Sequence, residues 1–210
     1  RTRPPFPVEA GLWGRPTVIN NVETLAAVPA ILTDGPDRSG TKLFGLSGPV
    51  VRPGVVEMGR GTTLGRLLRD IAGGALGGRP MKGAVVGGPS GSVVPAALFD
   101  VAMEPRGQVS PGTGGIVAVP EDASVVEIVT TLVGFNAGES CGKCTPCREG
   151  LPRLLAMIDE LPASPGVEAR ALALAETIQL ASLCGLGQAA PLALLRGLDD
   201  FGADFRRGRP

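Results

Sequence analysis

The chain has 210 residues, enough for one large domain or two small ones with real cores. Lys and Arg number 20 against 20 Asp and Glu, and 43% of residues are hydrophobic; this excludes a strongly basic nucleic-acid binder and an acidic disordered tail, and it makes a soluble globular protein the expectation. Histidine and tyrosine are absent, which removes serine–histidine triads, histidine proton shuttles, Rieske and histidine–haem ligation and the common catalytic zinc sites, and leaves an aliphatic core.

The chain opens at Arg1 inside a Pro- and Gly-rich stretch running to about residue 22, which we read as an extended, ordered loop of a piece taken from a longer protein. The start of this stretch does not read as a basic-then-apolar signal segment, and no apolar run approaches the roughly 20 residues of a membrane-spanning helix. Asn21 or a neighbour can cap a helix through Glu23, Leu25, Val28 and Ile31, which Gly35 and Pro36 end. From Thr41 the period changes: Lys42–Gly48 predicts a strand, Gly48-Pro49 a turn, and Arg52–Met58 a turn followed by a second strand. Thr62 or Thr63 can cap an amphipathic helix with Leu64, Leu67, Leu68 and Ile71 on one side, stopped by Gly73-Gly74. Gly83–Gly88 and Val117–Val119 read as short buried strands. Hairpin, helix and further strands make an α+β unit of the grasp kind.

After Pro120 the pattern is helical. Ser124 with Glu127 makes a capping box for a helix with Val125, Ile128, Val129, Leu132 and Phe135 at core spacing. A second helix runs from Arg148 past Leu154, Leu155 and Ile158. A third starts at Ser164-Pro165 and runs through Leu172, Ala175 and Ile178 to about Leu183. Pro191 starts a fourth, with Leu194, Leu195, Leu198, Phe201 and Phe205 on its buried side. Four such helices with short connections predict an antiparallel bundle.

All four cysteines lie in this helical part. Cys141, Cys144 and Cys147 form a Cys-x-x-Cys-x-x-Cys loop bent by Gly142 and Pro146, and Cys184 follows the third helix. Three thiolates from one loop can hold three irons of a cubane cluster, with a distant cysteine closing the fourth corner. Zinc prefers two knuckles of two ligands each, and three cysteines at this spacing pair poorly as disulfides in a chain that does not look secreted. Spacing therefore favours a cluster and leaves zinc, disulfides or unligated thiols open. Lys143 and Arg148 sit where they could offset the charge of a four-thiolate cluster.

Other features are weaker. Asn20-Asn21-Val22-Glu23-Thr24 places polar groups at a helix start, where amides can hold a phosphate or ribityl chain, but a plain helix cap explains it first. Gly87–Gly91 and Gly112–Gly115 match neither the dinucleotide nor the Walker fingerprint and read as turns. The basic tail, Arg206, Arg207 and Arg209, reads as a solvated end.

The stretch Glu139-Ser-Cys-Gly-Lys-Cys-Thr-Pro-Cys-Arg-Glu-Gly150 closely resembles the flavin-bearing, NADH-oxidising subunit of respiratory complex I and the diaphorase subunits of NAD-linked hydrogenases and formate dehydrogenases. Pro5-Phe6-Pro7 through Gly11-Leu12-Trp13-Gly14, Asn20 through Leu25, and Leu183-Cys184-Gly185-Leu186-Gly187 resemble it too, in the family's order across nearly the whole chain. The resemblance implies a 4Fe-4S cluster on Cys141, Cys144, Cys147 and Cys184, fed singly with electrons from FMN after NADH delivers a hydride. It implies flavin contacts at Asn20, Asn21 and Thr24, and backbone approaching the isoalloxazine at Gly185 and Leu186. It further implies three parts: a remnant of the FMN-binding domain at 1–40, a ubiquitin-like β-grasp domain of the soluble-ligand-binding (SLBB) type at 41–120, and a helical cluster-binding domain at 121–210. The implied partners are iron–sulfur subunits, among them a thioredoxin-like 2Fe-2S protein. The implied location is cytoplasmic, reaching the inner face of a membrane only through such partners. The family's N-terminal α/β half, which carries the NADH loop and most of the FMN site, has no counterpart here, so the fragment alone is expected to be inactive with NADH. Gln188 stands where complex I usually has an acidic residue, which looks closer to the hydrogenase and formate dehydrogenase branch. No residue is expected to act as a catalytic acid or base. The competing expectation is a non-enzymatic electron-transfer or docking module with a structural metal site.

Overall fold

A computed structural model describes residues 4–35, 40–161 and 166–207. The N-terminal stretch holds two short turns of helix, α1 (Pro7–Ala10) and a 3-10 turn at Leu12–Gly14, before α2 (Val22–Asp34). Asn21 caps α2 as expected, its side-chain oxygen accepting the Glu23 N–H at 2.8 Å, and Gly35 ends it at φ 91°. Pro36, the other half of the expected stop, lies outside the described residues. No residue of α2 is buried. It is tied to the next strand through Glu23, whose carboxylate accepts the Leu43 N–H at 2.8 Å and pairs with Lys42 at 3.2 Å.

A five-stranded mixed sheet follows, made of β1 (Thr41–Ser47), β2 (Gly54–Gly59), β3 (Met81–Val86), β4 (Ser92–Pro95) and β5 (Gly115–Pro120). The spatial order is β2-β1-β5-β3-β4. Strands β1 and β5 run parallel at the centre, and every other pairing is antiparallel. Gly48 turns the chain out of β1 at φ 86°; a Cβ there would lie 2.7 Å from the Ala118 carbonyl oxygen, so no larger residue fits. Alternation along the strands separates two cores. Phe44, Leu46, Ala84, Val86, Val94, Ile116 and Ala118 pack on Leu64, Leu67 and Leu68, while Val85, Val93 and Val119 join the helical layer on the opposite face. Burial on both faces explains why β3 reads as a continuous apolar run.

Two expectations are corrected by the sheet and its cover. The helix after Thr63 is a π-helix at Arg66–Ile71 and not an ordinary α-helix: the Ala72 N–H bonds the Leu67 carbonyl, five residues back. Leu64, just before it, and Leu67 and Leu68 within it all reach 0% exposure beneath the sheet. Thr63 still caps it, accepting the Arg66 N–H at 3.1 Å. Strand β4 is an addition to the expected strands, because four residues between Gly91 and the pairing Pro95 offer no visible period.

The helical layer comprises α3 (Val125–Glu139), α4 (Thr145–Glu160), α5 (Val167–Ala181), the short α6 (Gly185–Ala189) and α7 (Leu192–Arg207). Ser124 caps α3 by accepting the Glu127 N–H at 3.3 Å. Its buried side is Val125, Val126, Val129 and Val133; Ile128 and Leu132 are only partly covered, and Phe135 is 51% exposed, against the expected core set. Helix α3 packs on α4 and α7, and α5 packs on α4, α6 and α7. The expected start of α5 at Ser164-Pro165 and the tail residue Arg209 lie outside the described residues. Helix α7 breaks at Phe201 (φ −132°), and its last turns lie on the sheet, where Lys82 bonds both Asp204 and the Ala123 carbonyl at 2.9 Å. Buried Asn136 adds a second tie, donating to the Pro89 carbonyl at 2.9 Å and accepting the Ser90 hydroxyl at 3.0 Å. Sheet and helices thus share one apolar layer with polar fastenings, and Cys147 is part of it, with Cys144 packed against it.

Candidate metal centre

Helix α3 stops at Ser140, and the backbone turns sharply at Gly142 (φ 73°). Cys144 is the N-cap of α4, with Thr145-Pro146 as the first turn, so Cys147 follows one turn in on the same face. Cys184 is likewise the N-cap of α6. All four thiols are free, with Cys147 buried, Cys144 half-buried, and Cys141 and Cys184 exposed.

The four converge. Burial pushes the Cys147 thiol up, the Ser140 hydroxyl opposes that, and Cys144, Cys184 and Cys141 each lie near enough to add their charge to the upward push. The Cys144 thiol is held below its ordinary range, chiefly by the Leu183 N–H, against burial, with the Cys147 N–H, the Ser182 hydroxyl and its own N–H assisting. The link between α5 and α6 therefore lies against the Cys-x-x-Cys-x-x-Cys loop. Gly187 permits this approach: a Cβ there would meet the Ser182 Cβ at 2.6 Å and the Cys147 Cβ at 3.2 Å.

A polar frame holds the loop. Arg148 donates to the Gly142 carbonyl at 2.7 Å and pairs with Glu149 at 2.9 Å, so it braces the turn; Lys143 is exposed. Ser140 accepts the Gly142 N–H at 3.3 Å and lies 3.2 Å from the Cys147 sulfur. Gln188 donates its amide to the Ser182 carbonyl at 3.1 Å, a bond an ionised carboxylate could not make. The Ser182 hydroxyl is buried without a well-formed partner. Neither serine stands out in the sequence; the only signal is that each ends a helix just before a cysteine.

The remaining candidates are more dispersed. Asn20, Asn21 and Thr24 are exposed. Asn21 is occupied in capping α2, and Thr24 lines a cavity of about 790 Å³ between α2 and the β1–β2 hairpin. Gly185 is exposed with open space where a Cβ would be, and Leu186 packs partly on the helical core. Among the described residues no hydrogen bond joins 20–24 to 185–186. The Gly-rich pieces are turns, as expected: Gly87 and Gly112 back onto each other closely enough that a Cβ at Gly112 would sit 2.5 Å from the Gly87 Cα.

The donor set is all sulfur, which suits zinc or an iron–sulfur cluster. Among the described residues no group of three or more His, Cys, Asp or Glu side chains is arranged to hold a single metal ion. A cluster places its thiolates around several irons and so asks for a wider arrangement of ligands than one ion does. The orphaned Ser182 hydroxyl, the loop amides and the Gly187 cradle, all aimed at sulfur, fit such a group.

Known proteins sharpen this reading. The NADH-ubiquinone oxidoreductase-F iron-sulfur binding region matches residues 127–208. The NADP-reducing hydrogenase protein HndC of Solidesulfovibrio fructosivorans is 37% identical over 97% of this chain and 45% of its own length. The second NADH-quinone oxidoreductase F protein of Rhizobium meliloti is 39% identical over 98% of this chain and 52% of its own length. A crystal structure of NAD+-reducing NiFe hydrogenase in the H2-reduced state superposes with a TM-score of 0.79 and 34% identity, covering 100% of this chain and 38% of that one. The chain thus spans about half the length of the curated relatives it matches. From the cysteine loop outward, and over almost all its residues, the chain belongs to the family of NADH-quinone oxidoreductase F proteins and the related NAD(P)-reducing hydrogenase subunits.

Proposed function

We propose that this chain is the cluster-holding C-terminal part of an NADH:acceptor oxidoreductase flavoprotein subunit, with Cys141, Cys144, Cys147 and Cys184 as the ligands of a 4Fe-4S cluster. The observation that carries the reading is the convergence of Cys184 and its neighbours on the three-cysteine loop. When bound, the cluster supplies one-electron transfer between a flavin that takes two electrons from NADH and partners that take one. This chain's residues hold it: the loop and the N-cap of α6 fix the thiolates, and Gly142, Leu183 and Cys147 direct amides or turns toward them. Cys144 and Cys147 face the packed interior while Cys141 and Cys184 face outward, so the outward side is where a partner iron–sulfur protein, such as a thioredoxin-like 2Fe-2S protein, would approach.

The three-part division follows from the same reading. The order β2-β1-β5-β3-β4 with a parallel central pair supports a β-grasp domain of SLBB type at 41–120. The packing of α3, α4, α5 and α7 supports a four-helix, cluster-binding domain at 121–210. Residues 1–40 belong to an FMN-binding domain: α2 buries nothing, and Trp13, Val18, Ile19 and Val22 are 70–87% exposed, as expected of a surface that the other half of the flavoprotein covers. In that setting Asn20, Asn21 and Thr24 contact FMN, and Gly185 and Leu186 approach its ring. Among the described residues no helix is long and apolar enough to cross a membrane, and attachment would come through partner subunits.

The test is anaerobic purification of the chain alone and of the complete flavoprotein. The chain alone should be brown and give a cluster-type EPR signal on reduction by dithionite, yet leave added FMN oxidised in the presence of NADH; the complete flavoprotein should bleach FMN with NADH. A colourless chain with one zinc per molecule would favour a structural docking module instead.

A further inference from the structure

Two serines end helices just before cysteines, and neither faces its sequence neighbour. Ser140, the C-cap of α3, reaches past Cys141 to the Cys147 sulfur at 3.2 Å. Its oxygen accepts the Gly142 N–H at 3.3 Å, so the hydroxyl hydrogen is left to donate, and sulfur is the acceptor in reach. Ser182, the C-cap of α5, is 5% exposed, and its hydroxyl is buried with no hydrogen-bond partner, beside Gly187 and the Cys147 Cβ on the side of the loop where the Cys144 thiol lies within its influence. A buried hydroxyl without a partner is costly, and a thiol is a poor acceptor; a metal-bound thiolate carries charge and accepts well. Gln188 and Gly187 keep Ser182 in this place, the first through the Ser182 carbonyl and the second by leaving no Cβ between Ser182 and Cys147. Cys141 and Cys184, on the exposed side, have no hydroxyl near them in the described hydrogen bonds.

We propose that Ser140 and Ser182 are positioning residues that donate O–H···S hydrogen bonds to the Cys147 and Cys144 thiolates and thereby raise the reduction potential of the cluster. The inference rests on the four-cysteine cluster proposed above. Each donor stabilises the more negative, reduced state over the oxidised one, and no proton is transferred. One electron enters the cluster from the reductant in both wild type and variants, so the reaction itself is unchanged and only its midpoint moves.

The test is a redox titration of the anaerobically purified chain with dithionite and low-potential mediators, read by the EPR signal of the reduced cluster. Wild type, Ser140→Ala, Ser182→Ala, the double variant and Ser140→Thr are compared, with iron and sulfide measured on each. Each alanine variant should need roughly tenfold more reducing conditions, about 59 mV lower for a one-electron couple, and the double variant should sum the two. Ser140→Thr, which keeps the hydroxyl, should titrate with wild type. After exchange into D2O, wild type should show deuteron couplings to the cluster that the double variant loses. Unchanged midpoints in alanine variants that retain full iron would overturn the proposal, as would loss of the cluster in both single variants, which would make the serines structural supports only. A wild-type chain with no cluster signal would overturn the cluster assignment beneath it, a distinguishable failure.

Discussion

Replacing Gly187 by alanine isolates the contact that brings α6 onto the cysteine loop. The added methyl would clash with the Ser182 Oγ and lie 2.6 Å from its Cβ and 3.2 Å from the Cys147 Cβ. The hydroxyl could rotate, but both Cβ atoms are fixed to backbone, so α6 or the α5 end must move by several tenths of an ångström. Overpacking of this kind costs roughly 1–3 kcal/mol. At about 2–4 °C per kcal/mol for a chain of this size, that lowers the melting temperature by roughly 2–12 °C. Since Cys184 lies three residues before the clash, the shift also pulls the proposed fourth ligand away from the other three cysteines. Gly185→Ala is the control, because nothing lies within 4 Å of its Cβ position and alanine suits a helix better by about 0.5–1 kcal/mol. Differential scanning calorimetry with iron and sulfide analysis after anaerobic reconstitution reads both effects. Gly187→Ala should be less stable and iron-poor, while Gly185→Ala should match wild type in iron. Equal stability and iron in the two variants would refute the steric account.

Further outcomes follow from other contacts. Glu23 is held below the usual carboxylate range, first by the Leu43 N–H and then by Lys42. A depressed folded pKa adds stability that is present at neutral pH and lost as pH falls through that value. The melting-temperature gap between wild type and Glu23→Gln should therefore be present at pH 7 and close on acidification; a gap that widens in acid would contradict this. Asn136→Ala leaves the Pro89 carbonyl and Ser90 hydroxyl without their partner between sheet and helices, and calorimetry should find a loss of about 1–3 kcal/mol. Gln188→Glu removes the amide donor to the Ser182 carbonyl and turns a carboxylate on it; unfolding by urea should show a loss of about 1 kcal/mol, and no loss would mean the bond is dispensable.

Local chemistry is legible in the sequence. Asn21 and Ser124 cap the helices that the pattern assigns to them, since a cap depends on residues two or three apart. The cysteine spacing is equally local. What escapes is set by tertiary demand. Leu64, Leu67 and Leu68 have the spacing of an ordinary helix, and nothing in that spacing distinguishes π winding from α. Phe135 shares a period with Leu132, but a period marks a face without saying whether anything covers it. The short α6, the Gly187 contact with Cys147 and the placement of the Ser182 hydroxyl depend on the approach of segments some forty residues apart, which spacing alone does not encode.

The central claim is that Cys184 completes a cluster begun by Cys141, Cys144 and Cys147. Iron and acid-labile sulfide counts with EPR on anaerobically purified Cys184→Ala test it most directly. The account predicts that the variant keeps its folded sheet by circular dichroism but loses the cluster or holds only a three-iron form. Iron and sulfide equal to wild type, with an unchanged EPR signal, would contradict it.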